Sequence, residues 1–483
     1  MIMDIDLELL SIQNPWWRQL GSGERLVKNL DFDPVIKDFT SQKLKKLPEV
    51  LSEFDLSHDN IYILSGGRGL GKTTVLKLLI KKLVEEKKIE PDNIFYYSCH
   101  NLDTYEELNE LVKIFLNWRR LEASPPKPAG KPAYRTGRRL FIFIDEISLI
   151  KNWPKGISYL DKAKKLKNVT VILASSRQEN FGGKAENLPT QSKTITSLDF
   201  AEFLKLLNPK LLGKINKGNY KNYQDQLEYY LDIYFLTGGF LPCLNCYQKE
   251  GAISQNIYND YFYSLTADIA KLGRDVILLR QILEQILLNL GRPLGYKTIA
   301  AKTKAKIHLT IAEYLKILES MFVIKMIYQS DSKGKPTSRK AKKIYFIDPF
   351  LFWLFYSHIN GSLDYWQFSR ERLHRQDVFN ALVENVVFSH LARNGDGEGK
   401  ERLTYWRDNV CKQEITFLVH NGKKIMPILL RYSQEIEDKD LKIFKQAGFR
   451  QGIIISRERM ENRGNIKIMP LTYFLLFYRE LLK

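Results

Sequence analysis

The sequence is poor in cysteine and has no long apolar run. Its four cysteines are too few for a disulfide scaffold in a chain of 483 residues, which indicates a reducing compartment. No uninterrupted run of about 20 apolar residues occurs, so no membrane-spanning helix is expected. The N-terminus lacks the basic region and apolar run of a signal peptide. These absences predict a cytoplasmic protein without a membrane partner.

Acidic residues are also scarce relative to basic ones. There are 74 Lys and Arg residues against 55 Asp and Glu residues, a formal charge of +19. Such an excess favours polyanion partners through counterion release, and a merely Lys-rich surface is the alternative. A chain of this length exceeds one ordinary core, so several domains are expected.

Short apolar strands alternate with amphipathic helices in the first part of the chain. Strands alternating with helices predict βαβ units and a parallel sheet, which is an α/β fold. The predicted strands are 61–65, 94–99, 140–145 and 169–174, and the predicted helices are 72–85, 105–118 and 160–166.

A glycine-rich segment between the first strand and the first helix has a phosphate-binding pattern. Residues 66–73 read GGRGLGKT and match G-x-x-x-x-G-K-[ST] in full. Backbone N–H groups of such a loop close around phosphate oxygens, while Lys72 reaches the phosphates and the Thr73 hydroxyl ligates Mg²⁺. We therefore predict a site for ATP and Mg²⁺. Its nucleotide-binding residues are predicted to be Gly66, Gly67, Arg68, Gly69, Leu70, Gly71, Lys72, Thr73 and Thr74.

Polar residues end the third and fourth predicted strands, 140–145 and 169–174. Asp145 is predicted to hold Mg²⁺ together with Thr73, and Glu146 to orient or deprotonate the attacking water. Helix capping is the alternative for both acids. Ser175 and Ser176 end the following strand, where a hydroxyl could touch the γ-phosphate or the water. Ser176 joins Lys72 and Glu146 as the predicted catalytic set, with helix capping again the alternative.

The chain becomes helical from about residue 200, and residues 274–350 read as three helices followed by a hairpin. This order fits a winged helix, a variant of the helix-turn-helix. Basic residues cluster near its second helix and at the hairpin tip, which predicts contacts with DNA phosphates. A protein-binding winged helix with a solvated basic loop is the alternative. The predicted contacts are Lys302, Lys304, Lys306, Lys333, Lys335, Arg339, Lys340, Lys342 and Lys343.

Further short motifs accompany the phosphate loop and the Asp-Glu pair. They are Asn14-Pro-Trp-Trp17, Trp153, Leu198 to Phe203, Gly238-Gly239 with Pro242, and Glu384-Asn385. Together these residues resemble an AAA-type P-loop ATPase family of bacteria and archaea, which carries a winged helix and a C-terminal PD-(D/E)XK nuclease-like domain. The resemblance implies an ATPase core at 1–199, a helical lid at 200–272, a winged helix at 273–350 and a degenerate restriction-endonuclease-like α/β domain at 351–483.

The nuclease-like region departs from that family's metal site. Thr416 and Leu429 stand where the family has metal-binding acids, and Arg431 stands at its lysine. Leucine cannot ligate a hard cation, and arginine transfers protons poorly. We therefore expect no metal-dependent cleavage, although Glu384 and Glu414 remain.

These features predict a Mg²⁺-dependent ATPase or ATP switch that couples its nucleotide state to DNA binding. A signalling or defence switch acting on a protein partner is one alternative, and an active nuclease is another. The family's Pro-Gly-Arg segment reads Leu-Pro-Thr-Gln at residues 188–191. The family's arginine is thus missing, and with it any help that it gives to hydrolysis in relatives. No trans-acting arginine is assigned, so the sequence does not support a hexameric ring, and the oligomeric state is left open.

Overall fold

The chain divides into two compact units, Met1–Thr196 and Ser197–Lys483. The predicted boundary between core and lid, at 199/200, stays a prediction. The structure is a computed structural model that describes residues 7–17, 30–31, 33–47, 49–122, 139–178, 190–331, 334–337, 340–393, 403–408, 410, 413–422, 424–432 and 435–482.

The first unit is built on a five-stranded sheet in the order β2-β3-β4-β1-β5, and all its strand pairs are parallel. Because β4 lies between β1 and β3 and the strands are parallel, the segments that follow these three strands lie close together at the carboxyl ends of the sheet. The strands are β1 Ile61–Gly66, β2 Ile94–Ser98, β3 Leu140–Asp145, β4 Val169–Ser175 and β5 Thr190–Ile195. The helices are α1 Leu7–Gln13, α2 Pro34–Ser41, α3 Lys72–Glu85, α4 Tyr105–Glu122 and α5 Trp153–Lys162.

The interior strands of this sheet follow directly from their composition. Every residue of β1, β3 and β4 is buried, as expected where helices cover both faces of a parallel sheet. One helix differs from its sequence prediction, since α5 begins at Trp153 and ends at Lys162 and does not span 160–166. Pro154 occupies its first turn, where the missing N–H costs nothing, and Lys164 with φ 54° turns the chain away after its end.

Side chains from the N-terminal segment cover the free edge of β2. The Asn14 amide donates to Tyr96 O at 2.9 Å, and Tyr96 N donates back to Asn14 Oδ1 at 2.7 Å. The indoles of Trp16 and Trp17 both donate to Ile94 O, at 3.0 and 2.9 Å. An amide that both donates and accepts replaces a neighbouring strand, so these backbone groups are satisfied without one.

The second unit combines helices with an eight-stranded mixed sheet in the order β12-β13-β11-β10-β9-β8-β6-β7. Among the described helices, none has the length and apolar character needed to cross a bilayer. The helices are α6 Phe200–Leu207, α7 Pro209–Lys214, α8 Gln224–Thr237, α9 Leu241–Glu250, α10 Gln255–Lys271, α11 Val276–Leu288, α12 Tyr296–Ala301, α13 His308–Ser320, α14 Pro349–Ile359, α15 Tyr365–Arg372, α16 Gln376–Arg393, α17 Asp438–Gln446 and α18 Leu471–Leu481. The strands are β6 Ile324–Gln329, β7 Lys342–Phe346, β8 Leu403–Arg407, β9 Glu414–Asn421, β10 Lys424–Leu430, β11 Gly452–Ser456, β12 Glu461–Arg463 and β13 Ile466–Pro470.

The predicted wing hairpin belongs to this large sheet. Three helices, α11 to α13, precede the antiparallel pair β6–β7, which is the order expected for a winged helix. However, β6 also pairs in parallel with β8, where Tyr328 lies opposite Thr404. The regions predicted as winged helix and nuclease-like domain therefore share one sheet, and their boundaries remain predictions.

The glycine pair at 238–239 is explained by a buried carboxylate. Gly238 has φ 63°, and a Cβ there would lie 1.8 Å from Asp348 Oδ1. Gly239 N donates to Asp348 Oδ2 at 3.0 Å, and a Cβ on Gly239 would lie 2.1 Å from Leu198 O. Larger residues would separate the end of α8 from Asp348, which is fully buried.

Candidate nucleotide-binding site

The phosphate loop joins β1 to α3 in the first unit. Gly71 immediately precedes the first turn of α3 with φ 87°, a left-handed conformation that suits glycine. The first-turn N–H groups of α3 point out of the helix and carry partial positive charge. An α-helix N-terminus after a glycine-rich turn is an arrangement that suits phosphate oxygens.

Lys72 is folded into this loop. Its side-chain ammonium donates to Gly66 O at 3.0 Å and to Gly67 O at 3.1 Å. The residue is only 4% exposed, so its charge is held within the loop. The predicted phosphate-binding lysine therefore lies against the backbone that would surround the phosphates.

Thr73 and Asp145 are in contact at the carboxyl ends of the strands. Thr73 Oγ1 donates to Asp145 Oδ2 at 2.6 Å, and the Tyr96 hydroxyl donates to the same oxygen at 3.1 Å. Burial raises the pKa of Asp145, and the hydrogen bond from Thr73 opposes that shift. Mg²⁺ prefers hydroxyl, carboxylate and water oxygens, so these residues fit the metal that the sequence predicts.

The two predicted water-handling residues are also in contact. Ser176 Oγ donates to Glu146 Oε2 at 2.6 Å. Glu146 has φ 52°, a strained conformation for a residue with a side chain, and its side chain makes no helix-capping hydrogen bond. Ser175 instead bonds the backbone of Arg177, to which its hydroxyl donates at 2.7 Å. Ser176 is therefore the serine at the acid pair.

Sequence reasoning missed a buried ion pair behind this site. Lys77 Nζ lies 3.0 Å from Asp33 Oδ2, with both side chains almost fully buried. The same ammonium lies 3.6 Å from the centroid of the Tyr96 ring, a cation–π geometry. Burial lowers the pKa of Lys77, and Asp33 opposes that shift. Tyr96 therefore connects the Lys77–Asp33 pair to Asp145. The one hint of this pair in the sequence was a lysine on the mostly buried helix α3.

In the second unit, the residues at the predicted degenerate nuclease site have structural partners. Leu429 is in the core, and Thr416 Oγ1 accepts from Leu430 N at 3.0 Å. Arg431 Nε donates to Asp440 Oδ1 at 2.6 Å. Within the described part of the chain, no cluster of three or more His, Cys, Asp or Glu residues could hold a metal ion.

The predicted nucleic-acid residues fall into three groups. Exposed side chains are Lys302, Lys304, Lys306, Lys335 and Lys340. Outside the described residues lie Lys333 and Arg339.

The third group, Lys342 and Lys343, is buried. Lys343 is 0% exposed and Lys342 is 7% exposed, with the Lys342 ammonium 4.4 Å from the Tyr296 ring centroid. This burial is at odds with the predicted phosphate contact, because a side chain must reach solvent to meet a polyanion. We correct the prediction for these two lysines.

Comparison with known protein families gives three matches along the chain. Residues 58–204 match an AAA domain. Residues 228–355 and 379–474 match two domains of unknown function, DUF8612 and DUF4143. A comparison with curated proteins gives no match.

Solved structures resemble the chain only weakly. A structure of Caenorhabditis elegans PCH-2 is 14% identical with a TM-score of 0.24, covering 38% of this chain and 53% of that one. The Aeropyrum pernix ORC1 protein in complex with DNA is 14% identical with a TM-score of 0.26, covering 71% and 90%. The Escherichia coli MS115-1 HORMA:CdnC:Trip13 complex is 15% identical with a TM-score of 0.21, covering 36% and 57%. The chain thus spans about half of the first and third structures.

The sheet, the phosphate loop and the AAA match define the class of the first unit. It has the α/β fold of a P-loop NTPase, with the strand between β1 and β3 that AAA-type ATPases contain. These findings support ATP binding and hydrolysis by an AAA-type domain.

Proposed function

We propose that the protein is a Mg²⁺-dependent ATPase whose nucleotide state controls its binding to DNA. The ATPase part of the proposal rests on one observation: the segments that follow β1, β3 and β4 lie together at the carboxyl ends of these strands. Thr73 from the phosphate loop contacts Asp145 after β3, and Ser176 after β4 contacts Glu146. A hydroxyl, an acid that can bind a metal ion and an acid that can orient water lie together here, and this combination suits phosphoryl transfer to water.

We assign each residue a role that its position supports. Lys72 exchanges its carbonyl partners, Gly66 and Gly67, for phosphate oxygens. Thr73 and Asp145 hold Mg²⁺, which when bound neutralises charge developing on the phosphoryl oxygens. Glu146 orients the attacking water and accepts its proton, and Ser176 holds the Glu146 carboxylate in place.

Two variants test this assignment. Lys72→Ala should lose ATP binding, because the loop loses the ammonium predicted to reach the phosphates. Glu146→Gln should still bind ATP but hydrolyse it at least about a hundredfold more slowly, since a positioned base contributes that much. Lys87→Ala, an exposed lysine just beyond α3, is the matched control and should behave as wild type. Unchanged turnover in both site variants would refute the assignment.

The DNA part of the proposal depends on the exposed lysines of the second unit. Lys302, Lys304 and Lys306 follow α12, while Lys335 and Lys340 lie in the β6–β7 connection. Each phosphate that a lysine neutralises releases counterions, so affinity should fall steeply with salt. Replacing Lys335 and Lys340 by glutamine should lower duplex affinity and flatten the salt slope by about one unit per lost contact.

A protein partner is the second candidate, favoured by exposed apolar side chains in the same three-helix region. Ile277, Leu288, Ile307 and Leu309 are each 58–65% exposed, and contact with a protein would remove these apolar side chains from water. Replacing Ile307 and Leu309 by serine should leave DNA affinity unchanged if DNA is the partner. ATPase turnover measured with and without duplex and single-stranded DNA across a salt series separates the two candidates.

We also propose that the C-terminal region does not cut DNA. The Leu429 side chain offers no oxygen for a metal, and Glu384 and Glu414 are already paired with Lys343. Incubation of plasmid DNA with the protein and Mg²⁺ should yield no cleavage. Cleavage that disappears in Glu414→Ala would refute this part of the proposal.

A further inference from the structure

A cavity of about 610 Å³ lies in the second unit, between the loop before α12, the end of β8, the start of β9 and helix α17. Its volume is in the range of small-ligand pockets. Its charged lining residues are four cations and three acids: Arg292, Arg407, Arg431 and Lys439, and Glu384, Glu414 and Asp440.

The two glutamates already share a cation supplied by the chain. Lys343 Nζ lies 3.0 Å from Glu384 Oε1 and 2.5 Å from Glu414 Oε1, with its side chain 1% exposed. The Tyr345 hydroxyl also donates to Glu384 Oε1, at 2.6 Å. Burial disfavours the charge on Lys343, but the two carboxylates outweigh burial and raise its pKa. A lysine that stays charged occupies the position between the acids, so these acids do not make the cavity a metal site.

The remaining charges in the cavity are mainly positive. Arg431 is paired with Asp440 at 2.6 Å, and Arg407 lies 3.5 Å from Glu414, whose other oxygen is held by Lys343. Arg292 is exposed at the cavity, and no acid among the described residues pairs with it. Arginine presents a planar set of donors that matches phosphate oxygens. With its acids neutralised internally, the cavity offers these donors to an anion.

We propose that this cavity binds a phosphate ester of about nucleotide size, through Arg292, Arg407 and Arg431 and without a metal ion. The lysine between Glu384 and Glu414 serves as a built-in counter-charge that keeps the acids from repelling the ligand. The cavity lies at the predicted degenerate nuclease site, where Thr416 and Arg431 line it. It is separate from the exposed lysines of the proposed DNA surface and from the phosphate loop, and does not depend on either assignment. The phosphate can belong to a free nucleotide or to the end of a nucleic-acid strand.

The test uses the full-length Lys72→Ala protein, so that the phosphate loop does not contribute. Thymidine 5′-monophosphate is titrated calorimetrically, once in EDTA and once in Mg²⁺. A short single-stranded oligonucleotide with and without a 5′-phosphate is then titrated in the same two buffers. Arg292→Gln and Arg407→Gln should each weaken binding about tenfold or more, because each removes a charge-assisted contact. Lys249→Gln changes the same charge at an exposed position outside the cavity lining and should bind as its parent.

The possible results decide whether the site exists and which phosphate it binds. Binding of the mononucleotide in EDTA that both arginine variants weaken supports the site and identifies a free nucleotide as sufficient. Binding of only the 5′-phosphorylated oligonucleotide, with the same variant pattern, supports the site and identifies a strand end. Binding that requires Mg²⁺, that is insensitive to both arginine variants, or that is absent for all probes overturns the proposal. Since Arg292 is exposed, loss of binding in its variant is not explained by misfolding, which circular dichroism checks.

Discussion

Replacing Tyr96 by phenylalanine should weaken Mg²⁺ binding at the nucleotide site without weakening the fold. The hydroxyl donates to Asp145 Oδ2 at 3.1 Å, and Thr73 is the other side-chain donor to that oxygen, at 2.6 Å. Asp145 is 2% exposed, so water does not readily replace a lost donor. The ring itself stays in place, and with it the cation–π contact from Lys77.

The expected magnitude follows from the lost contact. A hydrogen bond to a charged group is worth about 1.5–3 kcal/mol, and 1.4 kcal/mol corresponds to a factor of ten. Because Thr73 continues to hold the carboxylate, we expect the lower end, a rise of about tenfold in the Mg²⁺ concentration that gives half-maximal ATPase turnover. Turnover at saturating Mg²⁺ should change less, since Glu146 and Ser176 are untouched.

The assay is steady-state phosphate release in a Mg²⁺ titration at saturating ATP. Tyr97→Phe is the matched control, because Tyr97 is the next residue on β2 and packs against Phe95. It should match wild type. The same Mg²⁺ requirement in Tyr96→Phe and wild type would refute the view that this hydroxyl positions Asp145.

Three further changes test the fold around the site and in the second unit. Gly238→Ala should lower the free energy of unfolding by about 3 kcal/mol or more, since its Cβ would overlap the Asp348 carboxylate. The control Gly251→Ala, where φ is 69° but the surrounding space is open, should lower it by only about 1–2 kcal/mol. Equal losses in the two variants would contradict the proposed overlap with Asp348. Burial lowers the pKa of His390 to about 4, below its usual 6.5, so on acidification the unfolded chain takes up a proton before the folded one. The free energy of unfolding should therefore fall between pH 6.5 and 4, by at most about 1.4 kcal/mol per pH unit. A urea-unfolding midpoint that does not change over this pH range, or that changes equally in wild type and His390→Gln, would argue otherwise. Asn14→Leu should destabilise the first unit by about 2 kcal/mol, about 1 kcal/mol for each of the two hydrogen bonds it makes to β2, and a loss below about 0.5 kcal/mol in thermal unfolding would show that the amide is dispensable.

The sheet of the first unit was predictable because its signals are local. The strand at Leu140–Asp145 and the helix at Lys72–Glu85 have the bounds that their apolar patterns predict. The P-loop motif is also continuous in sequence, so its placement between a strand and a helix needs no tertiary information.

What the sequence did not reveal depends on partners far apart along the chain. Lys343 reads as one member of a basic tip, yet it is buried against Glu384 and Glu414, neither of which is a sequence neighbour. Similarly, Lys77 and Asp33 are joined only when α2 packs on α3. Periodicity reports which face of an element is apolar, but does not identify the charge that neutralises a buried one.

The covered edge of β2 has a practical consequence for shortening the chain. The AAA match begins at residue 58, whereas the amide and indole groups that satisfy this edge come from residues 14–17. A fragment cut at the matched boundary would present a bare strand to other molecules, and such strands recruit partners of their own kind. An expression fragment for this domain should therefore start ahead of Asn14, even though the recognisable catalytic motifs all begin much later.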